Sequence, residues 1–159
     1  MGVKFRHMKN YAIEADYYMY GIKLGILDPE LAISWAYKII EKKDDPSGEV
    51  IEVALSKSRG RNGIIEALCE VEGVRDSQLS GGMLLLELLR RLENGASPAS
   101  VSTNALSVVR ETKFPEDLIW QFNVIDDEVL LAEQGIYTDK ERTYTALRDL
   151  LRSPGVQKA

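Results

Sequence analysis

The chain has 159 residues, 45% of them apolar and 28% charged, with a net charge of −5 and a single cysteine. Those proportions exclude a largely disordered chain, and the acidic balance argues against nucleic-acid binding, which needs a basic footprint on phosphates. Lone Cys69 excludes an internal disulfide and a Cys-rich zinc site, and the longest apolar run, MLLL at 83–86, is far short of the ~20 residues of a membrane span.

Residues 1–7 read equally as native sequence or as the remnant of a cloning junction, and carry no functional weight. A first helix is predicted from about Lys9 to Leu24. Placed at about 100° per residue, Tyr11, Ala15, Tyr18 and Ile22 gather on one face with Met19 beside them. Ile13, Tyr17, Tyr20 and Leu24 form a second apolar line; Lys9, Asp16 and Lys23 occupy one gap, Asn10 and Glu14 the other. Tyr18 belongs to the core stripe. Tyr17 and Tyr20 must be covered by another helix, by a second copy or by a partner, so they are candidate contact residues, and self-association through them is one expectation.

Gly25 is a natural left-handed cap, and Asp28 with Pro29 opens a second helix striped by Leu31, Ala32, Trp35, Ala36, Ile39 and Ile40, ending near Lys43. A third helix spans Gly48 to Ser56 with Val50, Ile51, Ala54 and Leu55 inward. The loop KSRGRNG then places Lys57, Arg59 and Arg61 before a helix N-terminus, where anions are favoured; it lacks the residue order of a phosphate loop and reads also as a solubilising turn. Asn62 is expected to cap a fourth helix, whose Ile64, Ile65, Leu68 and Cys69 share one face until Gly73, making the thiol core filler.

A leucine-rich fifth helix over Gln78 to Glu93 is closed by Asn94-Gly95. Ser97-Pro98 opens the sixth, with Val101, Ala105, Val108 and Val109 inward, although its Ser/Thr-rich start reads also as loop. Pro115 opens a seventh running to Gln134, and Thr138 to Glu141 is a capping-box pattern for the last. The tail from 153 to 159 is expected to fray. Gly25-Ile26-Leu27-Asp28 and Gly135-Ile136-Tyr137-Thr138 share one order of cap, two apolar residues and cap, although no longer period persists. The pattern predicts an all-α chain, 1–159 as a single domain, with about eight helices in antiparallel pairs forming a compact irregular bundle or a short helical-hairpin array.

Chemistry finds little purchase. The only histidine, His7, lies in the discounted tail, which argues against His-assisted nucleophiles and Glu-x-x-His metal sites. Adjacent Asp126, Asp127 and Glu128 fan around a helix too widely to meet on one ion. No catalytic residue, metal or cofactor is assigned, and a carboxylate enzyme remains the alternative. More distinctive is the segment from Phe114 to Ile136, which holds six carboxylates and no Lys or Arg. There Leu118, Ile119, Phe122, Ile125 and Val129 supply a core stripe, leaving Asp117, Trp120, Asp127 and Glu128 as candidates to contact a basic protein partner, against the plainer reading of a solvated acidic face.

The stretches YGIKLGIL and AISWAYKIIEKKDDPSGEVIEVALS resemble small all-helical bacterial proteins encoded beside secreted toxins, of the immunity-protein type. The resemblance spans about the first 70 residues and contains no catalytic motif. It implies a non-enzymatic, cytoplasmic binding protein that occludes a toxin's active site, which agrees with the acidic seventh helix.

Overall fold

The computed structural model describes residues 10–42, 46–136, 139–153 and 155–157. The chain is 76% helical, with eight α-helices and no strand among the described residues. It divides into two compact units, Met1–Asp76 and Ser77–Ala159. The first carries α1 (Ala12–Lys23), α2 (Pro29–Lys42), α3 (Gly48–Ala54), a 3-10 turn (Lys57–Arg59) and α4 (Gly60–Cys69); the second carries α5 (Ser77–Glu93), α6 (Pro98–Glu111), α7 (Glu116–Glu133) and α8 (Lys140–Arg152).

Within each unit the helices pack in one pattern. In the first, α1 packs on α2, α2 on α3, α3 on α4 and α4 back on α1, with α2 also touching α4. In the second, α5, α6, α7 and α8 close the same circuit, with α6 touching α8. Short connections bring successive helices of each unit into contact. Gly25, Gly95 and Gly135 have φ of 75°, 97° and 69°, so each helix-ending glycine adopts the left-handed geometry that a side chain resists.

Caps follow the local chemistry. The Asp28 carboxylate accepts from the Glu30 amide at 2.9 Å, and the Ser97 hydroxyl accepts from the Ser100 amide at 3.4 Å. The Ser/Thr-rich start of α6 is therefore helix from Pro98 onward. Ser97→Ala should destabilise the second unit by about 1 kcal/mol, read as a lower urea midpoint with unchanged slope. Asn62 is no cap: α4 begins two residues earlier, at Gly60, because the 3-10 turn runs directly into it. Thr138 and Tyr137 lie outside the described residues, as do residues 1–9 and 43–45; Asp139 accepts from the Glu141 amide at 2.9 Å and caps α8.

Three further expectations are corrected by packing. Helix α3 has only seven residues and buries Val50, Val53 and Ala54, while Ile51 and Leu55 face outward, Leu55 at 63% exposure. Helix α4 ends at Cys69 itself, and its inward face is Ile64, Ala67 and Leu68, so the thiol is exposed. Within the tail expected to fray, two described residues pack on the second unit: Val156 is buried and the Gln157 side-chain amide donates to the Leu151 carbonyl at 3.1 Å.

Long-range polar contacts lock the first unit. Asp16, placed by the wheel in a polar gap, is 4% exposed and ion-paired with Arg75, whose guanidinium also donates to the Cys69 and Val71 carbonyls at the end of α4. Asn10 accepts from the Ala12 amide at 3.0 Å and donates to the Val74 carbonyl at 2.7 Å. The two ends of the unit are thus tied together by polar side chains from both.

Candidate functional site

Helix α7 has two different faces. Phe122 and Val129 are buried at 1% exposure against the second unit's core, with Ala132 beside them. Leu118, Ile119 and Ile125 flank that stripe and are half-buried. Asp126 turns toward α6, where its carboxylate accepts from the Ser102 hydroxyl at 2.8 Å and the Thr103 hydroxyl at 3.2 Å. At about 100° per residue, Asp117, Trp120, Val124, Asp127 and Leu131 fall within an arc of about 80° centred opposite Phe122. Asp117, Trp120 and Asp127 are exposed, Trp120 at 65%, whereas Val124 and Leu131 within the arc and Glu128 just beyond it are half-buried.

Several carboxylates outside this helix are ion-paired, although among the described residues Glu41, Glu49, Glu70, Glu72 and Glu141 are not among them. Glu30 pairs with Lys57 at 2.9 Å, Glu87 with Arg90 at 2.6 Å and with Arg91 at 2.9 Å, and Glu93 with Arg152. The Arg90 hydrogen bond, with help from Arg91, holds the Glu87 carboxyl below its ordinary pKa despite partial burial. Among the described residues, no ion pair or side-chain hydrogen bond involves Glu116, Asp117, Asp127, Glu128 or Glu133. Helices α1, α2, α5, α6 and α8 carry a cation in the last turn, where the helix dipole is negative, whereas α3, α4 and α7 have none, and α7 places Glu133 there.

The remaining candidates are distributed differently. Tyr17 and Tyr20 lie in the first unit and are half-buried, and α1 has no exposed apolar line. The Tyr17 ring meets Tyr18 edge-on at 4.9 Å, Tyr18 lies 5.4 Å from Trp35, and the Trp35 indole N–H donates to Glu14 at 2.6 Å. Tyr18 is therefore a half-buried member of an aromatic cluster; burial, and then the Glu14 charge, push its hydroxyl pKa up.

The three cations of the KSRGRNG loop have three separate destinations. Lys57 pairs with Glu30, and Arg61 donates to the Ile22 and Lys23 carbonyls at 3.3 and 2.9 Å, closing the end of α1. Arg59 stands between Glu52 and Glu66, at 3.8 and 3.7 Å. Around Arg59 opens a pocket of about 520 Å³ lined also by Glu49, Glu70, Gly48 and Ala67. Among the described residues no group of three His, Cys, Asp or Glu side chains is placed to hold a metal ion, and no helix is long and apolar enough to cross a membrane.

The sequence named the acidic and aromatic members of the α7 face; Val124 and Leu131, which share its direction, are half-buried, and Leu130 to one side of it is 53% exposed. Comparison of the chain with known protein families, curated proteins and solved structures finds no match.

Proposed function

We propose that this protein is a non-enzymatic binding module that holds a basic protein partner on the outward face of α7, in the manner of an immunity protein occluding a toxin. One observation carries the reading: an indole left 65% exposed on a helix whose neighbouring carboxylates have no ion-pair partner among the described residues. Covering an aromatic anchor supplies a large share of interface energy, while unpaired surface charges accelerate encounter with an oppositely charged surface. Both ingredients sit on one rigid helix held by α6 and α8.

Immobilised wild-type protein and the Asp127→Lys/Glu128→Lys variant, offered the same native lysate, test the reading. A basic protein retained by the wild type should be depleted about tenfold or more on the variant, with both baits equally helical by circular dichroism. Equal retention would remove α7 from the reading.

A further inference from the structure

We propose that residues 70–76 form a strap clamped onto α1 by the Asp16–Arg75 pair, and that uptake of a proton by Asp16 releases it while the helices of the first unit stay folded. The strap runs from the end of α4 to the start of α5 and so joins the two units. Its deep apolar hold is Val71, at 2% exposure; residues 72–76 are all exposed, Val74 at 76%. Among the described residues, the amides of residues 72–75 donate to no backbone carbonyl. A segment that buries so little opens locally at small cost unless side chains hold it.

The holding groups are polar. Arg75 is paired with Asp16 of α1 and also donates to the Cys69 and Val71 carbonyls. Asn10 donates to the Val74 carbonyl at 2.7 Å, an exposed bond for which water competes. Gly73 lies so close to the start of α1 that a side chain there would collide with the Asn10 amide oxygen and with Ala12. The ion pair is lopsided, with side-chain exposures of 6% for Asp16 and 34% for Arg75. Once protonated, Asp16 can stay in place as a neutral group, whereas the Arg75 guanidinium loses its counter-charge and gains by turning to water, carrying the strap with it. Burial lifts the Asp16 carboxyl above its ordinary 3.8 although Arg75 opposes it, so the proton enters the folded protein.

Among the described residues Arg75 is the charge that acts on Asp16, and no titratable group of α2 does. Cys69, at the end of α4, feels both members of the pair, and more weakly Glu70 and Lys23; partial desolvation holds its thiol above the ordinary range, so it stays neutral in acid. The strap's own Glu70, Glu72 and Asp76 are exposed carboxylates, and the test separates them from Asp16.

Amide nitrogen relaxation of the full chain reads the strap directly. At neutral pH residues 72–75 should have order parameters of about 0.85; on acidification these should fall below about 0.6 with the same midpoint as the Asp16 carboxyl carbon, while α1 and α4 keep theirs. Asp16→Asn should show the low values already at neutral pH, and Glu70→Gln/Glu72→Gln should keep the wild-type transition. Three results would overturn the proposal: a strap ordered until α1 itself unfolds, a transition that moves with Glu70 and Glu72 instead of Asp16, or an Asp16→Asn strap as ordered as the wild type. Should Asp16→Asn fail to fold, the two wild-type midpoints decide alone, since their disagreement would remove Asp16 as the trigger.

Discussion

Arg75→Ala should destabilise the first unit by about 3 kcal/mol, the largest effect expected of any polar substitution described above, because it strands a buried charge. Asp16 is 4% exposed, and the Arg75 guanidinium is its ion-pair partner. Without it the carboxylate must remain charged and uncompensated or take up a proton. The substitution also deprives the Cys69 and Val71 carbonyls of their donor. Combining Arg75→Ala with Asp16→Asn should cost less than Arg75→Ala alone, since the amide needs no counter-charge. Urea unfolding of the single and double variants separates these outcomes, and a double variant as unstable as the sum of its parts would show that the buried charge was not the cause.

The same pair has a pH signature. Burial pushes the Asp16 carboxyl above its ordinary 3.8, and Arg75 opposes that shift without cancelling it. The folded protein therefore binds this proton more tightly than the unfolded chain, and the contribution of Asp16 to stability declines as pH rises through the interval above 3.8. Asp16→Asn removes that dependence, so stability of the variant relative to the wild type should increase with pH across the interval. A difference that stays flat would contradict the shift.

Phe122→Ala should cost about 3–5 kcal/mol, whereas Trp120→Ala, two residues away, should leave stability within about 0.5 kcal/mol. Phe122 is among the largest fully buried side chains and Trp120 is 65% exposed. The first substitution opens a cavity where α7 meets its neighbours; the second removes a ring that touches mostly water. Thermal unfolding by circular dichroism reads both. A Trp120→Ala variant as destabilised as Phe122→Ala would make the indole a structural residue and withdraw it from recognition.

Helix existence was legible because punctuation and periodicity agree: Pro29, Ser97-Pro98 and Pro115 mark starts, and Gly25, Gly95 and Gly135 mark ends. Facing was less legible in short elements. Seven residues of α3 are two turns, too few for the pattern to distinguish Val53 from Ile51 as the inward side chain. Cys69 failed for a related reason: it is the last residue of α4, and the face it would share ends with the helix.

The polar ties were not legible at all. Asp16 meets Arg75 across 59 residues and Arg61 reaches Ile22 across 39, and local pattern carries no information about such pairings. On α7 the acidic segment was evident from composition alone. Which carboxylate is spent internally, Asp126 on Ser102 and Thr103, required the packed α6–α7 pair.

Glu133 stands where the helix dipole already concentrates negative charge, at the end of an α7 that carries no cation in its last turn. The helix is thus electrostatically frustrated by its own sequence, and the chain supplies no ion pair to relieve it among the described residues. Substitutions that neutralise the row would ease that self-repulsion while dulling its attraction for a cationic surface. If α7 binds a basic partner as proposed, folding and recognition compete for the same charges, and optimising the protein for heat would blunt it for that partner.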